Sequence, residues 1–200
     1  MDTSSSPPEY QANFEIPVDL FVSKKHHGLT TAGGGLSFTD ASGNFVFRVD
    51  DSRSDKSTLP RHKRTLLNAS GTPLITIYRN QNGSWQGFRG HDSEEKDLIF
   101  RVERTLNTFR RTEFEVFLVG ENWEDSKSDF KMKGCPFQRS CTIYKGNSIV
   151  AQTSLMYKLG IQKMFVPRCR FRLTLFPGFV DHALVVALIV IFFDGRKFWI

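Results

Sequence analysis

The 200-residue sequence contains little cysteine and none of the short motifs that mark common enzyme families. Its three cysteines, Cys135, Cys141 and Cys169, are too few and odd in number for a disulfide framework. No GxSxG, HExxH, P-loop or GxGxxG motif occurs, so nothing points to a hydrolase, a zinc protease or a nucleotide-binding enzyme. Cys135 and Cys141 lack zinc spacing and a second ligand pair, which favours core cysteines over a metal site. We therefore expect no metal, no cofactor and no catalytic residue.

The N-terminal segment lacks the charged and apolar regions of a secretory signal. Residues 1–16 are rich in Ser, Pro and polar side chains, and they cannot bury enough apolar area to order themselves. We expect these residues to form a disordered tail. The protein is expected in the cytoplasm or the nucleus, or peripherally at the plasma membrane, and not outside the cell, so its thiols are expected to be reduced.

Short alternating segments separated by Gly, Asn, Asp and Pro follow from Pro17 onward, a pattern typical of strands and turns. The spacing of these segments, mostly ten to twenty residues, predicts an all-β sandwich or barrel. The predicted strands cover residues 45–49, 74–78, 98–102, 114–119, 130–133, 141–144, 149–151 and 171–176.

A turn pattern recurs along this part of the chain. Residues 40–46, DASGNFV, are echoed by residues 68–74, NASGTPL, and more faintly by residues 145–150. Each copy places Gly in a turn directly before a strand, where a positive φ is expected. Shared turn chemistry explains the echo, and a meander of similar hairpins wound into one barrel is the alternative.

One long apolar run, ALVVALIVIFF from Ala183 to Phe193, lies near the C-terminus between two aspartates. Its β-branched residues suit a buried strand, but its length favours a helix. Residues 181–194 would span about 21 Å as a helix, whereas a bilayer core measures about 30 Å. A helix that is apolar on every side needs protein around it, as inside a closed barrel. A membrane tail anchor is the alternative.

The net charge of +6 favours anionic partners without choosing among them. Residues two apart on a strand face the same side, so the predicted strands carry two same-face cation pairs, Lys131 with Lys133 and Arg170 with Arg172. Each pair is a candidate site for a phosphorylated lipid head group or a nucleic-acid phosphate. Ordinary solvated strand faces are the alternative.

A further basic cluster lies at residues 60–64, PRHKR. Its cations Arg61, Lys63 and Arg64 match a minimal nuclear-import pattern, a short pattern that also occurs often by chance.

Several motifs, taken in order, carry a resemblance to a known family. They are FTD at 38–40, GTP at 71–73, WQGFRG at 85–90, DLIF at 97–100, EVFL at 115–118, DFKMKG at 129–134, IVAQ at 149–152 and the apolar C-terminal run. Over about residues 17–194 the chain resembles the plant LURP-one-related proteins, which are grouped with the tubby C-terminal domains and the phospholipid scramblases.

The resemblance implies a mainly β fold. We expect a closed antiparallel β-barrel of about twelve strands around a central hydrophobic C-terminal helix at about residues 181–193. The barrel domain is expected to cover residues 17–194 and to be followed by a short tail at 195–200.

The resemblance also implies a function without catalysis. Tubby-like domains bind phosphoinositides at a basic surface, so we expect a monomeric, non-enzymatic protein whose partners are anionic phospholipid head groups. Such a protein would act as a membrane-tethered regulator of signalling or transcription, in plant defence. A nucleic-acid-binding protein and a scramblase-like membrane lipid protein are the alternatives.

Overall fold

The computed structural model describes residues 16–24, 35–50, 63–91, 97–108, 110–119, 127–155, 170–178 and 181–194. These residues form twelve strands followed by one helix. The strands are β1 (Val18–Lys24), β2 (Leu36–Thr39), β3 (Phe45–Asp50), β4 (Lys63–Asn68), β5 (Pro73–Arg79), β6 (Trp85–Arg89), β7 (Leu98–Asn107), β8 (Thr112–Leu118), β9 (Phe130–Cys135), β10 (Ser140–Lys145), β11 (Ser148–Leu155) and β12 (Arg170–Leu175), and the helix is α1 (His182–Asp194). Apart from Ile16, the predicted tails at 1–16 and 195–200 lie outside the described residues.

The strands form a closed barrel in chain order, each antiparallel to its neighbours in sequence. The barrel closes where β1 pairs with β12, with Val18 opposite Leu175 and Ser23 opposite Arg170. The expected barrel of about twelve strands is therefore confirmed, and the sandwich alternative is wrong. The repeated turn pattern belongs to a meander of hairpins.

The antiparallel order gives the barrel two distinct ends. The even-numbered strands finish at the same end, and α1 follows β12 from there into the interior. We call this end, where α1 begins, the entry mouth, and the end where α1 stops the exit mouth.

The helix α1 fills the barrel interior, and every residue from Ala183 to Phe193 is buried. A barrel of about eight strands is just wide enough to be filled by side chains alone, so twelve strands leave room for a helix about 10–12 Å across. The predicted central helix is confirmed, beginning one residue later than expected. Asp181 lies outside the helix because its Oδ1 accepts a hydrogen bond from the Ala183 N–H at 2.8 Å, as an N-cap does.

Aromatic side chains join the helix to the barrel wall. The ring of Phe192 meets Phe114 of β8 edge-on at 5.7 Å between centroids, and Phe193 lies 4.9 Å from Phe171 of β12. Phe114 in turn meets Trp85 of β6 at 5.4 Å. These contacts account for part of the phenylalanine in the sequence as packing between helix and barrel. Among the described residues, no helix is both long enough and apolar enough to cross a membrane.

Three turns share the same backbone hydrogen bonds. In residues 40–44, 68–72 and 80–84 the fourth residue is a glycine at positive φ whose N–H bonds to the first carbonyl. The first residue's own N–H bonds to the fifth carbonyl, at 3.0, 3.0 and 2.8 Å respectively. The first two turns are those echoed in the sequence, and the third was not predicted. The fainter copy differs, because Lys145 pairs directly with Ser148 and leaves a two-residue turn.

The strands β1, β2, β4 and β6 were not predicted individually. Of these, β2 has only four residues, β4 (KRTLLN) is mostly polar, and β6, with the sequence WQGFR, is interrupted by Gly87. The structure shows why glycine is needed there, since a Cβ at Gly87 would overlap the buried ring of Phe100 on β7. A residue that weakens the strand pattern is thus required by packing.

Cys135 and Cys141 are buried thiols outside any disulfide, and Cys169 lies outside the described residues. Burial raises the pKa of the Cys141 thiol well above its usual value, which keeps it protonated and unreactive at neutral pH.

Placing a charge in the middle of α1 tests whether the helix is enclosed. Ala187 is fully buried, so Ala187→Asp would place a carboxylate in the barrel interior without a partner. We expect a loss of more than about 4 kcal/mol, or no folded protein, in urea denaturation. The control Ala69→Asp, in an exposed turn, should unfold like the wild type. Equal stability of the two variants would contradict burial of the helix.

Gly87→Ala tests the close approach of β6 to Phe100. The added methyl group should destabilise the protein by about 1–3 kcal/mol, because it must displace a ring held in a packed core. Phe100→Leu should make room for the methyl group, so the double variant should lose less stability than the sum of the two single variants. Strict additivity of the free energies of unfolding would show that the contact is not the cause.

Candidate functional site

Four neighbouring strands, β9 to β12, form a continuous part of the barrel wall that carries positive charge only. Their sequences, FKMKGC, SCTIYK, SIVAQTSL and RFRLTL, contain five lysines and arginines and no aspartate or glutamate. We call the outer side of these strands the basic face. Both cation pairs predicted from the sequence lie on it. The fifth cation, Lys145, lies instead over the ring of the buried Phe130, at 5.8 Å.

Lys131 and Lys133 lie on β9 and point outward, since the alternate residues Phe130 and Met132 are buried in the core. They stand at the border of the basic face, because β8 next to them carries two glutamates. Lys131 Nζ lies 3.0 Å from Glu115 Oε1. Lys133 lies opposite Glu113, whose Oε1 binds Arg111 Nη2 at 2.5 Å. The charges of the β9 pair are therefore partly compensated by neighbouring carboxylates.

Arg170 and Arg172 lie on β12 at the other border, next to β1. Both side chains are exposed, and the side chains between and after them are buried. Arg172 Nη1 lies 3.5 Å from Asp19 Oδ2, while Asp19 Oδ1 accepts a hydrogen bond from Thr174 Oγ1 at 2.6 Å. No ion pair joins Arg170 to any residue in the described ranges. Each pair therefore has one cation in an ion pair, and the Arg172–Asp19 contact at 3.5 Å is longer than the Lys131–Glu115 contact at 3.0 Å.

The two cation pairs do not meet in one site. Strands β10 and β11 lie between them, and three strand spacings amount to about 14 Å. The cross-strand row between the pairs is neutral, with Thr142 beside Lys133 and Gln152 beside Thr142. The pairs therefore mark the two borders of one broad basic face.

The candidate nuclear-import residues are placed differently. Arg61 lies outside the described residues, and Lys63 Nζ donates to the carbonyl of His91 at 3.4 Å. Arg64 turns toward the helix, where its Nη2 lies 2.6 Å from Asp194 Oδ1 and only 22% of its side chain is exposed. In the folded chain Arg64 therefore has a structural ion pair, and an import function of this patch stays a prediction.

Sequence reasoning missed a group of arginines at the exit mouth. Besides Arg64, Arg79 and Arg104 lie over the ring of Trp85 at 5.3 and 5.1 Å, and Arg139 lies 6.0 Å from the ring of Phe193. Arg64 and Arg139 thus contact the last turn of α1, whose carbonyl end and Asp194 are negative. Strand alternation places Arg64, Arg79 and Arg104 on the inner side of the wall, but only the structure shows which side chains they meet.

A cavity at the entry mouth was also missed. It measures about 720 Å³ and lies between the first turn of α1 and strands β3 and β5 to β8. Its apolar walls include Leu74, Ile99 and Leu118, and its polar lining residues are Arg89, Asp181 and His182. These residues come from five separate strands and from the start of the helix, so no local sequence motif predicts the cavity. Within the described ranges no three His, Cys, Asp or Glu side chains are grouped as metal ligands.

Comparison with known proteins gives relatives over most of the chain. A family model described as LURP-one-related matches residues 18–194. Protein LURP-one-related 7 of Arabidopsis thaliana is 48% identical over 180 residues, which cover 90% of this chain and 91% of that protein. Protein LURP-one-related 15 of the same plant is 33% identical over 194 residues, covering 95% and 84%. The names of these relatives mention no enzymatic activity.

A solved structure agrees with the fold. An X-ray structure of a protein from Arabidopsis thaliana superposes with a TM-score of 0.63 at 32% sequence identity, covering 89% of this chain and 90% of that one. The family match spans every strand and the helix from β1 to α1. The chain therefore belongs to the LURP-one-related family.

Proposed function

We propose that this barrel is a non-enzymatic protein that binds anionic membrane surfaces reversibly through its basic face. The observation that carries the proposal is the charge distribution of β9 to β12, whose outer side holds the four cations of the two pairs and no carboxylate. Such a face is attracted to a lipid leaflet that carries negative head groups, and each cation near the surface contributes about 1 kcal/mol.

The chemistry of β12 favours phosphate as the group bound. A guanidinium presents paired N–H donors that match two phosphate oxygens, whereas a lysine acts as a point charge. Arg170 and Arg172 lie about 7 Å apart on one side of the strand, so they can reach two phosphates of one head group or of neighbouring lipids. A phosphoinositide, with several phosphates on one ring, is the lipid that best fits this spacing.

Binding through the basic face would be reversible, because its contacts are between exposed charges. The cations of the basic face lie in solvent and part of their charge is compensated at the borders by Glu115 and Asp19. Interactions between exposed charges are screened within about 8–10 Å at physiological salt. A surface of this kind binds without inserting and is released when ionic strength rises or when the lipid is dephosphorylated.

Neutralising the β12 pair tests the proposal directly. Arg170→Gln with Arg172→Gln should weaken binding to vesicles containing phosphatidylinositol 4,5-bisphosphate by about 30-fold, since two surface contacts contribute about 2 kcal/mol. Lys131→Gln with Lys133→Gln should cost less, because a lysine lacks the paired N–H donors of a guanidinium and Glu115 already binds Lys131. Co-sedimentation measures both affinities, and thermal unfolding should show stability within about 0.5 kcal/mol of the wild type.

The matched control removes the same charge from strands outside the basic face. Arg48 on β3 and Lys63 on β4 lie three and four strands from β12 in the twelve-strand ring, and six strands from β9 and β10. Arg48→Gln with Lys63→Gln should leave vesicle binding nearly unchanged, because three strand spacings, about 14 Å, exceed the screening length. Equal losses for control and test variants, or binding no stronger than to phosphatidylcholine alone, would overturn the proposal. Preference for duplex DNA over all vesicles would favour the nucleic-acid alternative.

A further inference from the structure

The entry mouth combines a cavity with an apolar rim. The cavity of about 720 Å³ lies within the size range of small-molecule sites, and most of its wall is formed by apolar side chains. Phe47, Leu74, Ile99 and Leu118 are only partly buried, although each packs against the core. An apolar ligand placed against them would remove that remaining surface from water.

The exposed large apolar residues gather at the same end of the barrel. In the part of the chain that the structure describes, such residues number six, and only Phe137 belongs to the exit mouth. The other five stand before, at or just after strand ends around the entry mouth. They are Ile16, Val18, Phe45, Val119 and Ile149. Val119 also lines the cavity, so the rim meets the cavity wall at this residue.

The polar groups of the cavity favour a negative charge on the ligand. Arg89 lies opposite Ile75 in the β5–β6 register, which places it on the inner side of the wall at the mouth. No ion pair joins its guanidinium to another described residue. Asp181, the carboxylate in the cavity, is already engaged as the N-cap of α1 through Ala183 N–H. An anionic group beside Arg89 would therefore pair with a cation that has no ion-pair partner among the described residues.

We propose that the entry-mouth cavity binds an amphiphile with one apolar chain and an anionic head group. The chain lies against Leu74, Ile99 and Leu118, and the head group meets Arg89. This site is separate from the basic face, which lies on the outer side of β9 to β12, and it requires no membrane. A free fatty acid and the acyl chain of an acidic membrane lipid share this chemistry.

Binding of a fluorescent fatty acid tests the site without vesicles. Parinaric acid, kept below its critical micelle concentration, should gain fluorescence on binding at one site per chain, and oleate should displace it. Leu118→Trp fills the cavity and should reduce the affinity at least tenfold. Arg89→Gln should reduce the affinity for oleate about tenfold while leaving that for oleyl alcohol, which has the same chain without the charge, nearly unchanged.

Two controls separate this site from the basic face and from general damage. Arg170→Gln with Arg172→Gln should bind parinaric acid like the wild type, even if that variant no longer binds vesicles. Arg48→Gln, on the outer wall, should also bind normally. Thermal unfolding should show all variants folded.

The source of the ligand is distinguished by presenting the same chain in two forms, as free parinaric acid or as parinaroyl phosphatidic acid in vesicles. A signal that Leu118→Trp lowers in only one form identifies that form as the source. No binding in either form, binding that Leu118→Trp leaves unchanged in both, or an equal effect of Arg89→Gln on oleate and oleyl alcohol would overturn the proposal.

Discussion

The fit between one apolar helix and a twelve-strand barrel is the constraint on which the rest of this protein depends. Neither part is stable alone, because α1 exposes apolar side chains on every side and a twelve-strand barrel without it would enclose a large void. The helix therefore fills the barrel interior, and the barrel buries the apolar surface of the helix. The contacts of Phe192 with Phe114 and of Phe193 with Phe171 show the two surfaces packed directly against each other. Since the helix follows all twelve strands in the chain, the barrel interior is filled only when this C-terminal segment enters it.

This arrangement leaves the outer wall and the two mouths free for other roles. The closed sheet satisfies its backbone hydrogen bonds around the ring, and the inward residues of each strand form the core. The outward residues are then constrained little by folding, and β9 to β12 use them to carry cations. At the exit mouth, the ion pair of Arg64 with Asp194 joins β4 to the end of α1. At the entry mouth, the first turn of α1 leaves a cavity beside Arg89.

The sequence predicted the fold better than the sites. The run from Ala183 to Phe193 and the alternation in eight strands depend on local pattern, and both were recovered. The strand β6 was not predicted because it contains Gly87. This glycine is required by the ring of Phe100 on the next strand, a contact that the local sequence pattern does not reveal. The same-face placement of Lys131 and Lys133 follows from strand alternation alone. The ion pair of Lys131 with Glu115 depends on which strands are neighbours and on their register. The same reason explains why the cavity, drawn from five strands, could not be predicted.

Native-state hydrogen exchange of the helix amides tests the enclosure of α1 most directly. If the helix can leave the barrel only when the barrel opens, amides from residues 185–193 should exchange with the free energy of global unfolding measured by urea denaturation. The central strand amides, such as those of Met132 and Ile143, should give the same value. Exchange of the helix amides at a free energy several kcal/mol below that of the strands would show that α1 leaves the barrel independently, and would contradict the mutual dependence of helix and barrel.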